Sequence, residues 1–156
     1  MTLPHHAYKI ALLRPQIAAN TGNIARLCVA TGTELHLVRP MGFVLSDKQL
    51  RRSAMDYWPR LRLTVHDDGG SFFARVASDP IWLFDSTGDC GLWDCEFRDG
   101  DWLIFGSETN GIDQTILDRH RGRVVRIPQV EGERCLNLST SVGIALYEAL
   151  RRAACE

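Results

Sequence analysis

Three short stretches hold residue types whose spacing can do chemistry. The first is Asn20-Thr21-Gly22-Asn23-Ile24-Ala25-Arg26. Asn and Gly tolerate unusual backbone angles, and Arg26 presents a permanently charged planar fork suited to a phosphate or a developing anion. The second is Phe105-Gly106-Ser107-Glu108-Thr109-Asn110-Gly111-Ile112, an apolar run that ends in a turn bounded by two glycines. Such a turn lets backbone amides approach a ligand closely. The third runs from Ile127-Pro128-Gln129-Val130 through Glu131-Gly132-Glu133-Arg134 to Cys135-Leu136-Asn137-Leu138-Ser139, and it is richer in polar and conformationally special residues than a connector needs. None is a dinucleotide fingerprint, because Gly106 and Gly111 have four residues between them, and no Gly-Lys-Ser/Thr triphosphate loop exists. Taken singly, the first also reads as a helix cap with a solvated Arg, and the second as an ordinary strand–turn–helix junction.

The elements that position these stretches alternate between strand and helix. Apolar runs predict strands at 8–13, 35–38, 61–65, 81–84, 102–105 and 124–127. The last is rich in β-branched Val124, Val125 and Ile127, and Pro128 stops it because it has no N–H for a sheet ladder. A helix opens at 20–23, puts Ile24, Leu27 and Cys28 on one face and ends at Gly32. A short basic helix with Lys48, Arg51 and Arg52 is capped by Ser46 or Asp47, another surrounds Phe72, Phe73 and Val76, and a third spans 113–120. The last helix is capped by Asn137 or Ser139, with Leu138, Val142, Ala145, Leu146, Ala149 and Leu150 along one apolar stripe. This alternation predicts one α/β domain over 1–156, a mostly parallel six-stranded sheet with helices on both faces. All three stretches then lie at the carboxyl ends of strands, where such sheets bind ligands, and form one composite site.

Composition narrows the class. No apolar run is long enough to span a membrane, so no membrane partner is expected. Five cysteines, Cys28, Cys90, Cys95, Cys135 and Cys155, lack paired metal spacing, and five histidines form no cluster. This fits a reduced, cytoplasmic protein without a bound metal better than a disulfide scaffold or a zinc site. The net charge of −1 hides a segregation: residues 1–62 carry +6, residues 67–118 carry −10 and residues 119–156 carry +3. Sixteen of the eighteen basic residues are Arg, which also follows from a coding bias toward that residue. If the two basic ends fold together they make one positive face for a nucleic acid.

The three stretches, in this order and over nearly the whole chain, resemble the motifs of the SpoU/TrmH class of SPOUT methyltransferases. The short length, Pro40-Met41-Gly42-Phe43, Asp47-Lys48 and Leu50-Arg51-Arg52 are similar to the small TrmL-type members, which methylate the ribose 2′-hydroxyl of the tRNA wobble nucleotide, cytidine or modified uridine 34. The resemblance implies a C-terminal deep trefoil knot, S-adenosylmethionine as methyl donor with S-adenosylhomocysteine as product, a homodimer, and the tRNA anticodon stem-loop as partner. Carried over by position, it implies a donor pocket of Phe84, Gly106, Glu108, Ile127, Gln129, Cys135 and Leu136. Gln129 stands where many relatives have Met, and Cys135 where Ser is common.

On the substrate side the resemblance implies Arg26. A guanidinium stays protonated in proteins, so Arg26 is read as a clamp on the adjacent phosphate and a stabiliser of the developing alkoxide rather than as the base. Asn23 and Ser139 are read as orienting the ribose, Asn137 as fixing the knot loop, and Tyr147 as either facing the site or packing in an interface. The alternatives are 2′-O-methylation of another tRNA or rRNA position, and a non-catalytic nucleotide- or RNA-binding α/β module.

Overall fold

Among the described residues, seven parallel strands form one sheet: β1 Lys9–Leu13, β2 Glu34–Val38, β3 Leu63–His66, β4 Ile81–Phe84, β5 Cys90–Gly91, β6 Trp102–Phe105 and β7 Val124–Arg126, in the order β3-β2-β1-β6-β4-β7-β5. The computed structural model describes residues 2–46, 48, 50, 52 and 55–155. The sequence predicts six strands, and the seventh is β5, whose Cys90 and Gly91 register with Val125 and Arg126. Two residues carry no alternation to read. Asp47 and Arg51, assigned by sequence to a short basic helix, lie outside the described residues.

Helices α1 Ala18–Thr31 and α4 Leu138–Ala153 cover one face, and α2 Gly69–Arg75 and α3 Gln114–Arg119 cover the other. Alternation along the strands sorts the core. Ile10, Leu12, Leu35, Leu37, Leu103 and Phe105 meet Ile24 and Cys28 of α1 and Val142, Ala145 and Leu146 of α4. Ala11, Leu13, Leu83 and Ile104 meet Phe72 and Val76 around α2 and Leu117 of α3. Both faces are apolar because a parallel sheet covered by helices is buried on both sides. Each fully buried Leu or Ile stabilises the fold by about 2 kcal/mol. Among the core residues, burial pushes the Cys28 thiol up to about 12.

Three local features shape the site and the sheet beneath it. First, α1 begins at Ala18, earlier than the 20–23 opening read from the sequence, and its N-cap Ile17 offers no side-chain acceptor. Asn20 and Thr21 are thereby buried within the first turn. Gly32 ends the helix with φ 72°, as expected of a glycine there. Second, residues 85–89 join β4 to β5 by passing over β7, which sits between them. The crossing is tight: Asp85 N–H donates to Val125 O at 3.0 Å, and a Cβ on Gly88 would stand 2.7 Å from the Val125 carbonyl carbon. Third, His36 and His66 meet under α2, with Nδ1 of the first 3.0 Å from Nε2 of the second. Burial pushes His36 down to about 4, outweighing the nearby Glu34, and burial also lowers His66.

Candidate active site at the carboxyl ends of the strands

The three stretches meet beyond β4, β6 and β7 around a cleft of about 520 Å³. Phe84, Phe105, Val125, Ile127 and Leu136 give it apolar walls, and Asp85, Ser107, Asn110 and Gln129 place polar groups around it. The turn after β6 is set by its two glycines. Ser107 and Gly111 exchange backbone hydrogen bonds at 3.0 and 3.2 Å, and Asn110 N–H donates to Ser107 Oγ at 3.0 Å. Gly111 has φ 63°. A Cβ on Gly106 would stand 2.1 Å from the Gly111 carbonyl carbon and 2.5 Å from Ile112 N, so no other residue fits without moving the turn.

A polar chain locks the three stretches together. The Glu108 carboxylate accepts from Gln16 N–H at 2.8 Å, Ile17 N–H at 3.1 Å and Asn20 Nδ2 at 3.2 Å. It thus pins the two residues that lead into α1, and its charge sits at the positive end of that helix. Asn20 Oδ1 accepts from Asn137 Nδ2 at 3.0 Å. Asn137 Oδ1 in turn caps α4, accepting from Ser139 N–H at 2.9 Å, Thr140 N–H at 3.4 Å and Ser139 Oγ at 2.6 Å. Of the two cap candidates, Asn137 holds the position and Ser139 is bonded to it. Gln129 Nε2 donates across its loop to Arg134 O at 2.9 Å.

All seven residues assigned to the donor side, Phe84, Gly106, Glu108, Ile127, Gln129, Cys135 and Leu136, line this cleft. The substrate-side residues do not line it. Arg26 and Asn23 are exposed on α1, and Tyr147 is 52% exposed on α4. Ser139, half-buried, is engaged with Asn137. The Arg26 guanidinium lies 5.1 Å from the centroid of the Tyr57 ring. Sequence reasoning missed Asn20 as the link between Glu108 and Asn137, and Asp85 as a cleft residue. The available signals were a polar residue heading the apolar face of a helix, and an acid directly after a buried strand.

The chain matches the SpoU rRNA Methylase family over residues 7–147. It is 40% identical over 152 residues to the tRNA (cytidine(34)-2′-O)-methyltransferase of Burkholderia pseudomallei, covering 96% of this chain and 97% of that one. It is 41% identical over 149 residues to the protein of the same name from Methylovorus glucosotrophus, covering 93% and 95%. Among solved structures, a protein studied for the 2-OH methylation of C/U34 on tRNA superposes with a TM-score of 0.92 at 38% identity, over 97% of this chain and 99% of that one. The SpoU methyltransferase AviRb of Streptomyces viridochromogenes, solved in complex with the cofactor AdoMet, superposes with a TM-score of 0.81 at 25% identity, over 97% of this chain and 60% of that one. A shared fold, the family match over residues 7–147 and this extent of identity place the chain in the SpoU rRNA methylase family.

Proposed function

We propose that this chain methylates the ribose 2′-hydroxyl of the wobble nucleotide, position 34, of tRNA, with S-adenosylmethionine as donor. The observation that carries the reading is the convergence of the three motif stretches on one cleft. The cleft fits the donor. Its volume is in the range of small-molecule sites, and its apolar walls with a few polar groups suit an adenine and a polar tail. The Asp85 carboxylate sets a negative charge beside a ligand that is cationic at sulfur. When bound, S-adenosylmethionine supplies an activated methyl group carried on a sulfonium.

The chain's own residues hold and orient. Phe84, Ile127 and Leu136 exclude water, and Gly106 opens the backbone to a close approach. Glu108, through Asn20 and Asn137, fixes α1 and α4 relative to the cleft. Arg26 clamps the phosphate next to the target and stabilises the developing alkoxide, and Asn23 and Ser139 orient the ribose. Aligning the reacting groups is the main task when the methyl is already activated.

Arg26 stands outside the cleft of its own chain, which supports a homodimer whose sites each combine the cleft of one chain with Arg26 of the other. The exposed Tyr147 and Ile144 on α4 suit that interface. The C-terminal segment is read as knotted. The support is the 85–89 crossing over β7, pressed close at Gly88, with residues 127–137 continuing beyond it. The whole chain acts as one domain on the anticodon stem-loop in the cytoplasm, and no described helix is long and apolar enough to cross a membrane. The test is nucleoside mass mapping of tRNA from cells lacking the gene and from cells in which it is restored. The reading expects a 2′-O-methyl nucleoside at position 34 to vanish and return. An unchanged position 34 would overturn it.

A further inference from the structure

We infer that Tyr57 is a positioning residue for the reaction, holding Arg26 extended toward RNA with its hydrogen-bond donors unspent. The inference rests on the role proposed for Arg26 in methyl transfer. Tyr57 sits in the 3-10 turn Met55–Arg60, which packs against α1. The turn is anchored from below: Trp58 and Leu61 are partly buried against the main core, Leu61 N–H donates to Trp58 O at 3.1 Å, and Pro59 stiffens the backbone. The turn that carries the partly buried Tyr57 is thus fixed, while the Arg26 side chain, exposed on a helix, is free to roam unless something holds it.

The hold is an aromatic face rather than a carboxylate, as it is for Arg123 over Trp82 at 4.5 Å. Arg14, Arg39, Arg62, Arg121, Arg151 and Arg152 each sit within 4.0 Å of an Asp or Glu. Among the described residues no carboxylate pairs with Arg26 or with Arg60. Both guanidiniums lie instead over the Tyr57 ring, at 5.1 and 5.3 Å from its centroid. A carboxylate would occupy the fork and cancel its charge. A ring attracts the cation through its π face and leaves the N–H donors for another acceptor. The arrangement keeps two positive charges at one ring with their donors available, which suits a phosphodiester and a forming alkoxide.

The test compares Tyr57→Phe, Tyr57→Leu, Arg26→Ala and the double variant Arg26→Ala/Tyr57→Leu in the intact protein, with tRNA and S-adenosylmethionine as substrates. Tyr57→Phe keeps the ring and is expected to turn over as the parent does. Tyr57→Leu is expected to lose about tenfold in turnover, with donor affinity unchanged, and the double variant to be no slower than Arg26→Ala alone. Should Tyr57→Leu fold poorly, phenylalanines of rising fluorination at position 57 keep the shape while weakening the ring's negative face, and turnover is expected to fall stepwise. Parental turnover in Tyr57→Leu, equal losses in the Phe and Leu variants, or additive losses in the double variant would overturn the inference. Near-normal turnover of Arg26→Ala would instead overturn the role of Arg26 itself.

Discussion

Arg26 and Asn20 stand six residues apart on one helix and do different work. Arg26 is exposed and, in the proposed mechanism, acts on the substrate. Its removal is therefore expected to leave donor affinity within about threefold while slowing methyl transfer about a hundredfold, corresponding to roughly 3 kcal/mol of lost charge stabilisation. Arg26→Lys should also be poor, since a point charge does not reproduce the fork. Calorimetry with S-adenosylhomocysteine, paired with single-turnover rates, separates the two effects. Asn20 is buried and joins Glu108 to Asn137. Asn20→Ala breaks two hydrogen bonds and is expected to cost about 2 kcal/mol, lowering the melting temperature by roughly 4–8 °C in a thermal scan. At this scale the sequence showed which residues are chemically able. It did not show that Glu108 spends both carboxylate oxygens on the chain entering α1, because those bonds span about ninety positions of chain.

The strands long enough to carry a hydrophobic run were legible, and so were the ends of α1 and α4 marked by Gly32 and Asn137. The two-residue β5 was not, and neither was the early start of α1, which no local side chain caps and whose entry Glu108 holds. Two predictions belong to elements. The 85–89 crossing leaves no room for a side chain at Gly88. Gly88→Ala is expected to cost about 1–3 kcal/mol, read as a lower midpoint in urea, and a neutral outcome would mean that the crossing yields easily. The second concerns His36 on β2, the strand between β1 and β3. Unfolded, it takes a proton near pH 6.5; folded, it stays neutral down to about 4. Between these values the unfolded chain binds more protons, so stability falls as the pH falls from 6.5 toward 4, by about 3 kcal/mol in all. Urea midpoints at pH 7 and pH 4.5 check this, and His36→Leu is expected to flatten the difference.

At the scale of the molecule, an acidic middle segment separates two basic ends. The proposed dimer sets the basic 1–62 segment of one chain beside residues 119–126 of the other, giving a continuous track for phosphates that weakens with salt. Shared sites make a further prediction. Arg26→Ala and Gly106→Ala chains, each inactive alone, are expected to regain activity on subunit exchange, because one site of each mixed dimer is intact. Continued inactivity after confirmed exchange would mean that each chain works alone. The proposed knot and two-chain site lie beyond what periodicity can show, since both concern how distant segments pass and meet. Methylation of a single hydroxyl can be read out directly. The purified protein is incubated with S-adenosylmethionine and an unmodified tRNA, alongside the same tRNA carrying a 2′-deoxyribose at position 34, and the digests are mapped by mass. A single methyl is expected on the ribose of nucleotide 34 and none on the deoxy control. A methyl on the base, at another position, or on the deoxy control would contradict it.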